Sequence, residues 1–334
     1  MTRRWPRPTT PARAVRPGSF ATWTPRASGS AFKGTENHDH QWRQHAALRT
    51  GFSTLFKKGL GQTSSQYKKF ATVVPATTKE QKYGWLGKIP SVREWIGARV
   101  VQNLSQSDYA IKEKKWELTI GVDRDDIETD NIGVYSPMFE EMGQSTGAKW
   151  DELVFSMYKL GFELLCYDGQ FFFDTDHPVT AADGTVLSIA NTDGGNGPAW
   201  FLIDNSRAIK PVILQQRKDF KFVSKDAETD DNVFGLNEYL YGADARANAG
   251  YGFWQFAWGS RQPLTPDNYE KARVALMEMK GDYGRPLGIR PDTLLVPPRL
   301  ERAANKIIKN EKGPNGEDNE FQGTATVEVI PWLA

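Results

Sequence analysis

The chain has 334 residues, of which 39% are hydrophobic, 25% charged and 12% aromatic, a composition typical of a folded protein with a sizeable core. No stretch approaches the roughly 18 uncharged apolar residues that a membrane-spanning helix needs, and the single cysteine, Cys166, predicts neither an intramolecular disulfide nor any cysteine-based zinc site. Residues 1–35 hold seven Lys and Arg and no acidic residue, whereas the whole chain carries +1; the remainder is therefore at −6 and lacks the overall basic character of a nucleic-acid-binding protein.

Residues 1–47 differ in composition from the rest of the chain. Five prolines are interspersed with Arg, Thr, Ser and Ala, without sustained periodicity, so this segment is predicted to be disordered. Three explanations of the segment compete: a flexible tail, a start codon assigned too early, and an added expression sequence. His38, His40 and His45 cluster here; they are candidates for metal binding, although a polar tail explains them more simply.

Periodic sequence begins near residue 48. Residues 48–60 carry apolar side chains at the spacing of one helix face, which predicts a short amphipathic helix, and residues 67–75 suit an extended arm. Within 79–126, apolar residues alternate with polar ones from Trp116 to Val122, which predicts a strand. A long hairpin projecting from the body fits this segment, and an ordinary edge hairpin would give the same pattern.

Ser136-Pro137 is a strong helix start, with Ser as N-cap and Pro at the first helical position. Apolar residues then recur mostly at steps of three or four, so the helix is predicted to continue to about Leu164 and to be about 40 Å long. Gly143 and Gly147 either weaken its middle or permit close approach by a neighbouring element.

The second half of the chain alternates short apolar runs with turns. A helix is predicted to start at Thr265-Pro266 and to end at Gly281, and another opens at Pro297-Pro298. The predicted apolar runs and strands are 170–173, 185–190, 200–203, 212–214, 220–223, 251–258, 293–296 and 324–332. The fold class is α+β, with one long helix, several small sheets and no internal repeat.

Two motifs contain residue types that are found in catalytic or metal-binding sites. Residues 143–147 match the G-x-S-x-G nucleophile elbow, but that motif needs a strand and a sharp turn, and here it falls in a predicted helix. Asp174, Asp176 and His177 are candidates for divalent-metal binding or acid–base catalysis, which gives a metal-dependent hydrolase as one alternative. A turn explains the same three residues, so we predict no catalytic residue, no cofactor and no metal.

Ten segments occur in a distinctive order from residue 48 to the end of the chain. They are 66–75, 85–87, 93–97, 122–127, 139–143, 167–178, 206–211, 252–254, 279–288 and 296–298. This ordered set resembles the Mu-like bacteriophage major head (capsid) subunit family, whose members have the HK97-like capsid fold. The N-terminal extension has no place in the resemblance.

The resemblance implies a division of the chain into functional segments. Residues 48–78 would form the N-terminal arm, and residues 79–127 the extended β-hairpin loop that reaches over a neighbouring subunit. Residues 128–167 and 291–334 would form the peripheral domain with its long spine helix. Residues 168–290 would form the axial domain.

The resemblance also implies a structural protein, not an enzyme, that self-assembles into hexamers and pentamers of an icosahedral head around double-stranded DNA, without sequence-specific binding. Expected partners are further copies of the chain, a scaffolding protein, the portal and a decoration protein, with no membrane; the location is the virion, after assembly in the bacterial cytoplasm. Tyr83, Trp85, Arg93 and Trp95 are candidate inter-subunit contacts, although core packing explains the aromatic ones equally well. An encapsulin-like compartment of the same fold, with a cargo enzyme and no packaged DNA, is a further alternative.

Overall fold

A computed structural model describes residues 34–87, 89, 108–128, 131–313 and 316–334. The chain divides into two units between Gln44 and His45, and the account of packing below concerns residues 45–334. Within the described residues, no helix has both the length and the apolar character needed to cross a membrane.

The described residues form seven α-helices and fifteen strands joined by short turns. The helices are α1 Gly34–Gln62, α2 Tyr67–Phe70, α3 Arg124–Glu128, α4 Ser136–Leu160, α5 Asp231–Leu236, α6 Pro266–Met277 and α7 Glu301–Ile308. The strands are β1 Ala71–Pro75, β2 Glu80–Lys82, β3 Ala110–Lys112, β4 Lys114–Asp123, β5 His177–Thr180, β6 Val186–Ile189, β7 Thr192–Gly195, β8 Trp200–Ile203, β9 Val212–Lys225, β10 Glu238–Tyr251, β11 Ala257–Arg261, β12 Lys280–Gly281, β13 Arg285–Pro286, β14 Thr293–Val296 and β15 Thr326–Val329.

Sheet I contains four strands in the order β1-β9-β10-β4. Strands β9 and β10 are antiparallel and 14 residues long. Strand β1 pairs parallel to β9 on one side, and β4 pairs antiparallel to β10 along its full length on the other. Helix α4 packs against β9 and β10, because its apolar side chains lie on one face.

Sheet II contains five strands in the order β15-β14-β8-β11-β7. Every residue of β8 and β14 is buried, which explains why both segments are continuous apolar runs with little alternation. Helix α7 contacts β14 and β15, and α6 contacts β11. The sheet therefore lies inside the largest hydrophobic core of the described chain.

A second, smaller core joins α1 to α4 and sheet I. The ring of Phe52 from α1 stacks on Phe139 from α4, with ring centroids 4.0 Å apart, and Tyr241 from β10 meets Phe52 edge-on at 5.1 Å. Such aromatic contacts contribute about 0.5–1.5 kcal/mol each beyond their buried area. The N-terminal arm is thus fixed to the long helix by specific packing.

The predicted starts of α4 and α6 are confirmed, whereas both predicted ends, at Leu164 and Gly281, are too late, because the helices stop at Leu160 and Met277. Helix α4 begins at Ser136 as expected, although Tyr135 takes the N-cap position, and the helix ends at Leu160. Thr265 caps α6 by accepting a hydrogen bond from the backbone N–H of Asn268. Helix α1, in contrast, begins at Gly34, before the predicted helix start at residue 48; the disorder expected for residues 1–47 stays a prediction.

The segment predicted to be one long hairpin contains two separate strand pairs. Strands β2 and β3 pair with each other, whereas β4 pairs with β10 of sheet I. Glu113 separates β3 from β4, and its carboxylate forms ion pairs with Arg217 at 2.8 Å and with Arg246 at 3.8 Å. This buried ion pair explains why a charged residue interrupts the apolar stripe of the sequence.

The two sheets group the chain differently from the predicted segments. Strands β14 and β15, which lie in the predicted peripheral segment 291–334, share sheet II with β8 and β11 from the predicted axial segment 168–290. Strands β9 and β10, also predicted to be axial, pack on α4. Such long-range pairing has no signature in local sequence, so the peripheral and axial boundaries stay predictions.

Candidate functional site

The base of the predicted extended loop, residues 80–87 and 108–113, is built into the core. Tyr83 is 1% exposed, and its hydroxyl donates to Gln215 Oε1 at 3.1 Å. Its backbone N–H donates to the carbonyl oxygen of Tyr109 at 2.9 Å, and this hydrogen bond joins the two segments of the loop base. Burial raises the pKa of Tyr83 to about 12, so the hydroxyl remains a donor at neutral pH.

Of the four predicted inter-subunit contacts, the structure describes two. Trp85 is half-buried, with its ring 5.8 Å from Tyr83 and 6.0 Å from Phe253. Tyr83 and much of Trp85 therefore pack within their own subunit, where they support the loop base. Arg93 and Trp95 lie outside the described residues, and a role for any of the four in contacts between subunits stays a prediction.

The arm and the long helix meet through glycines with no space for a side chain. A Cβ atom on Gly143 of α4 would lie 2.1 Å from the carbonyl oxygen of Phe56, and one on Gly59 of α1 would lie 1.9 Å from that of Glu140. The two backbones are therefore in direct contact. Of the two interpretations of Gly143, close approach by a neighbour is confirmed, and the G-x-S-x-G match lies inside a helix where it forms no nucleophile elbow.

The start of α2 is positioned by Asp151 of α4. Its carboxylate accepts hydrogen bonds from the backbone N–H groups of Gln66, at 2.9 and 3.1 Å, and of Tyr67, at 2.6 Å. Burial nevertheless raises the pKa of Asp151. These contacts satisfy the free N–H groups of α2 and hold the arm against the helix.

The predicted metal candidates are not brought together as a trio. His177 is fully buried, and its Nδ1 faces Asp168 Oδ2 at 2.7 Å, while Nε2 faces Asn191 Oδ1 at 3.3 Å. Asp176 is exposed, and a hydrogen bond shared with Asp174 raises its pKa. His177 thus lies with Asp168 and Cys166, and a metal-binding role for Asp174, Asp176 and His177 stays a prediction.

Asn191 is a functional position that the sequence did not reveal. Its side chain is buried, and Nδ2 donates to the carbonyl oxygen of Phe172 at 2.8 Å. Its Oδ1 accepts from the backbone N–H of Asp174 at 2.9 Å. The residue therefore links the 172–174 turn to His177, and its position before a glycine-rich loop was a weak signal that polar turn residues share.

The hairpin tip, residues 226–237 between β9 and β10, exposes large apolar side chains. Phe234 is 91% and Leu236 is 72% exposed, and both belong to the short helix α5. Asp226 anchors the tip by accepting a bidentate pair of hydrogen bonds from Arg49, at 2.6 and 3.1 Å. Adjacent exposed apolar residues on a fixed support are typical of protein contact surfaces.

Comparison with known proteins identifies the class to which this architecture belongs. The procapsid subunit of bacteriophage JBD30 superposes with a TM-score of 0.76 and 44% identity, covering 86% of this chain and 98% of that one. The subunit of the JBD30 capsid decorated with minor capsid protein trimers gives 0.70 and 35%, covering 82% and 93%. The fold is that of phage capsid subunits, HK97-like and α+β as predicted.

Sequence comparison gives the family. Residues 45–333 match the family described as Mu-like prophage major head subunit gpT. The chain is 45% identical to the Mu-like prophage FluMu major head subunit of Haemophilus influenzae over 83% of this chain and 93% of that protein, and 42% identical to the major capsid protein of Escherichia phage Mu over 86% and 97%. The chain belongs to the Mu-like major head subunit family and is a capsid-forming structural protein.

Proposed function

We propose that the chain assembles as hexamers and pentamers into an icosahedral head that encloses double-stranded DNA without sequence-specific contacts. The observation that carries the proposal is the structure of the loop base. Its two segments are joined by the pairing of β2 with β3, and Tyr83 and Ile111 fix them in the core. In this proposal residues 88–107, which continue from the fixed base, bind a neighbouring subunit. The acidic body supports enclosure of DNA without adhesion.

In this proposal the two sheets take different places in the shell. Sheet I with α1 and α4 forms the peripheral part, because the long helix and long strands give an extended surface for lateral contact. Sheet II with its covering helices forms the axial part around the centre of each ring. Each contact in such a ring is heterologous and repeats around the closed structure.

The proposed partners follow from the same function. We extend to this chain the decoration described for a JBD30 capsid, which carries minor capsid protein trimers, and we include a scaffolding protein and the portal. Assembly takes place in the host cytoplasm, and the role is structural, without catalysis. Neither the hydrolase nor the encapsulin-like alternative is supported by the relatives, which are named as phage head or capsid proteins.

Excision of the loop tests the proposal. Residues 88–107 are replaced by a short Gly-Ser linker between Gly87 and Asp108, which keeps Tyr109 and Ile111 in the core. We expect a folded subunit whose thermal unfolding matches the native chain, and an absence of closed shells by negative-stain electron microscopy when the chain is expressed with its scaffolding partner.

The matched control inserts the same linker between Asp183 and Gly184, in the exposed turn that joins β5 to β6. This variant should assemble, which would separate loss of the loop from the general effect of an altered surface. Normal shells formed by the excised chain would contradict the assigned function of the loop.

A further inference from the structure

Three side chains with metal-ligand chemistry meet at the end of the long helix, far in sequence from the loop base. The Sγ of Cys166, a carboxylate oxygen of Asp168 and a ring nitrogen of His177 all lie within 4.8 Å of one another. Cys166 is 5% exposed and His177 is fully buried. We call these three residues the His177 cluster.

The local backbone explains how the first two side chains reach the same place. The segment 165–171 turns back on itself, with the Cys166 N–H donating to the carbonyl oxygen of Gln170 at 2.8 Å. Gly169 takes a positive φ of 87° at the turn, a conformation that favours glycine. Cys166 and Asp168 therefore project to one side, and β5 brings His177 to them.

The imidazole is held in a fixed orientation. Its ring stacks on Trp254, with ring centroids 3.9 Å apart and an interplanar angle of 8°. Asn191 Oδ1 lies 3.3 Å from Nε2, and this oxygen must be an acceptor because it also receives the N–H of Asp174. Nε2 therefore donates to Asn191, and Nδ1 faces the cluster; metal-bound histidines commonly donate their second ring N–H in this way.

We propose that Cys166, Asp168 and His177 bind a thiophilic divalent cation of the Zn²⁺ class, as a structural site that ties the turn after α4 to β5. Thiolate, carboxylate and neutral imidazole are the ligand types that zinc accepts, with water completing a tetrahedron. Binding releases the thiol proton and any proton on Nδ1, and no electron is transferred. One thiolate and one carboxylate neutralise the dication, so the occupied cluster has no net charge in its buried position.

Without a cation, the same groups form a hydrogen-bonded network. The thiol donates to Asp168 Oδ1 at 3.0 Å, and His177 Nδ1 lies 2.7 Å from Oδ2. Both arrangements place the carboxylate between the other two groups. The cation would replace this network by three coordinate bonds from ligand atoms that already lie within 4.8 Å of one another.

Because Cys166 is the single cysteine of the chain, Co²⁺ is a selective probe. The full-length protein is stripped with a chelator and titrated with Co²⁺. We expect a thiolate-to-cobalt charge-transfer band that saturates near one equivalent and disappears when Zn²⁺ is added. His38, His40 and His45 cannot produce this band if they bind cobalt, since none of them is a thiolate.

Variants and thermal unfolding complete the test. Zn²⁺ at 100 times its Kd should raise the melting temperature of the native chain by about 5 °C. Cys166→Ser should lose both the band and the rise, whereas Asp176→Asn, which alters an exposed carboxylate outside the cluster, should keep both. Absence of a charge-transfer band from the folded native protein in excess Co²⁺ would overturn the proposal and leave the cluster as a hydrogen-bonded network.

Discussion

The contact between α1 and α4 can be tested by adding one methyl group. In Gly143→Ala the new Cβ would lie 2.1 Å from the carbonyl oxygen of Phe56, whereas ordinary contact begins at 3.4 Å. The helices must therefore separate by about 1.3 Å, since a backbone oxygen cannot rotate away. Overpacking of this kind costs about 3 kcal/mol, and the better helix propensity of Ala returns about 1 kcal/mol. We expect the free energy of unfolding to fall by about 2 kcal/mol.

The matched control is Gly51→Ala in α1, where a Cβ would meet nothing within 4 Å. Only the propensity gain acts there, so this variant should be more stable by about 0.5–1 kcal/mol. Urea unfolding of the isolated subunits, followed by circular dichroism, measures both variants. The reasoning is refuted if Gly143→Ala is at least as stable as the native chain, or if the two variants shift in the same direction.

Two further predictions concern buried polar groups. Burial alone would raise the pKa of Asp204, but hydrogen bonds from groups including Ser206 and Arg207 outweigh burial and lower the pKa. The ionised Asp204 therefore stabilises the fold fully above the ordinary aspartate pKa of about 3.9. This stabilisation is lost as the pH falls through the lower folded-state pKa. Asp204→Asn should cost about 2–3 kcal/mol at pH 7, and urea unfolding at decreasing pH should show the difference from the native chain shrinking below about pH 4; a constant difference would contradict this account. Tyr83→Phe leaves the buried Oε1 of Gln215 without its donor and should lower the stability of the isolated subunit by about 1–2 kcal/mol. If stability is unchanged but shell yield by electron microscopy falls, Tyr83 acts between subunits instead.

Local signals in the sequence predicted the elements that local physics determines. The Ser136-Pro137 start of α4, the Thr265 cap of α6 and the buried strand 293–296 are all present. Each depends on a few adjacent residues or on one period of apolar side chains. The family resemblance added the capsid fold, which no local pattern determines.

Strand β10 shows why other features were missed. Its odd-numbered residues from Tyr239 to Tyr251 are all buried, but the four from 243 to 249 are alanines, which carry little apolar signal. The strand is defined by its two partners, β4 and β9, which lie far away in sequence. Pairing of this kind follows from the whole fold and not from the segment.

The candidate site divides in the same way. The sequence singled out His177 together with Asp174 and Asp176, whereas the carboxylate nearest to the imidazole belongs to Asp168. Asp168 reaches His177 through the turn at Gly169, and Asn191 reaches it from the start of the following loop. The distances of nine and fourteen residues depend on turn geometry that composition does not encode.

The hairpin tip has a consequence for the free subunit in solution. Residues 226–237 contain four acidic residues and no Lys or Arg; Asp226 is paired with Arg49, and the other three lie beside the exposed Phe234 and Leu236. Like-charge repulsion acts over about 10 Å at 0.1 M salt and over shorter distances as salt is added, while apolar attraction persists. Charge repulsion at the tip therefore opposes association of free subunits at low ionic strength, and added salt should increase their self-association. Light scattering at matched protein concentrations measures this effect. Scattering that does not change with salt would argue against it.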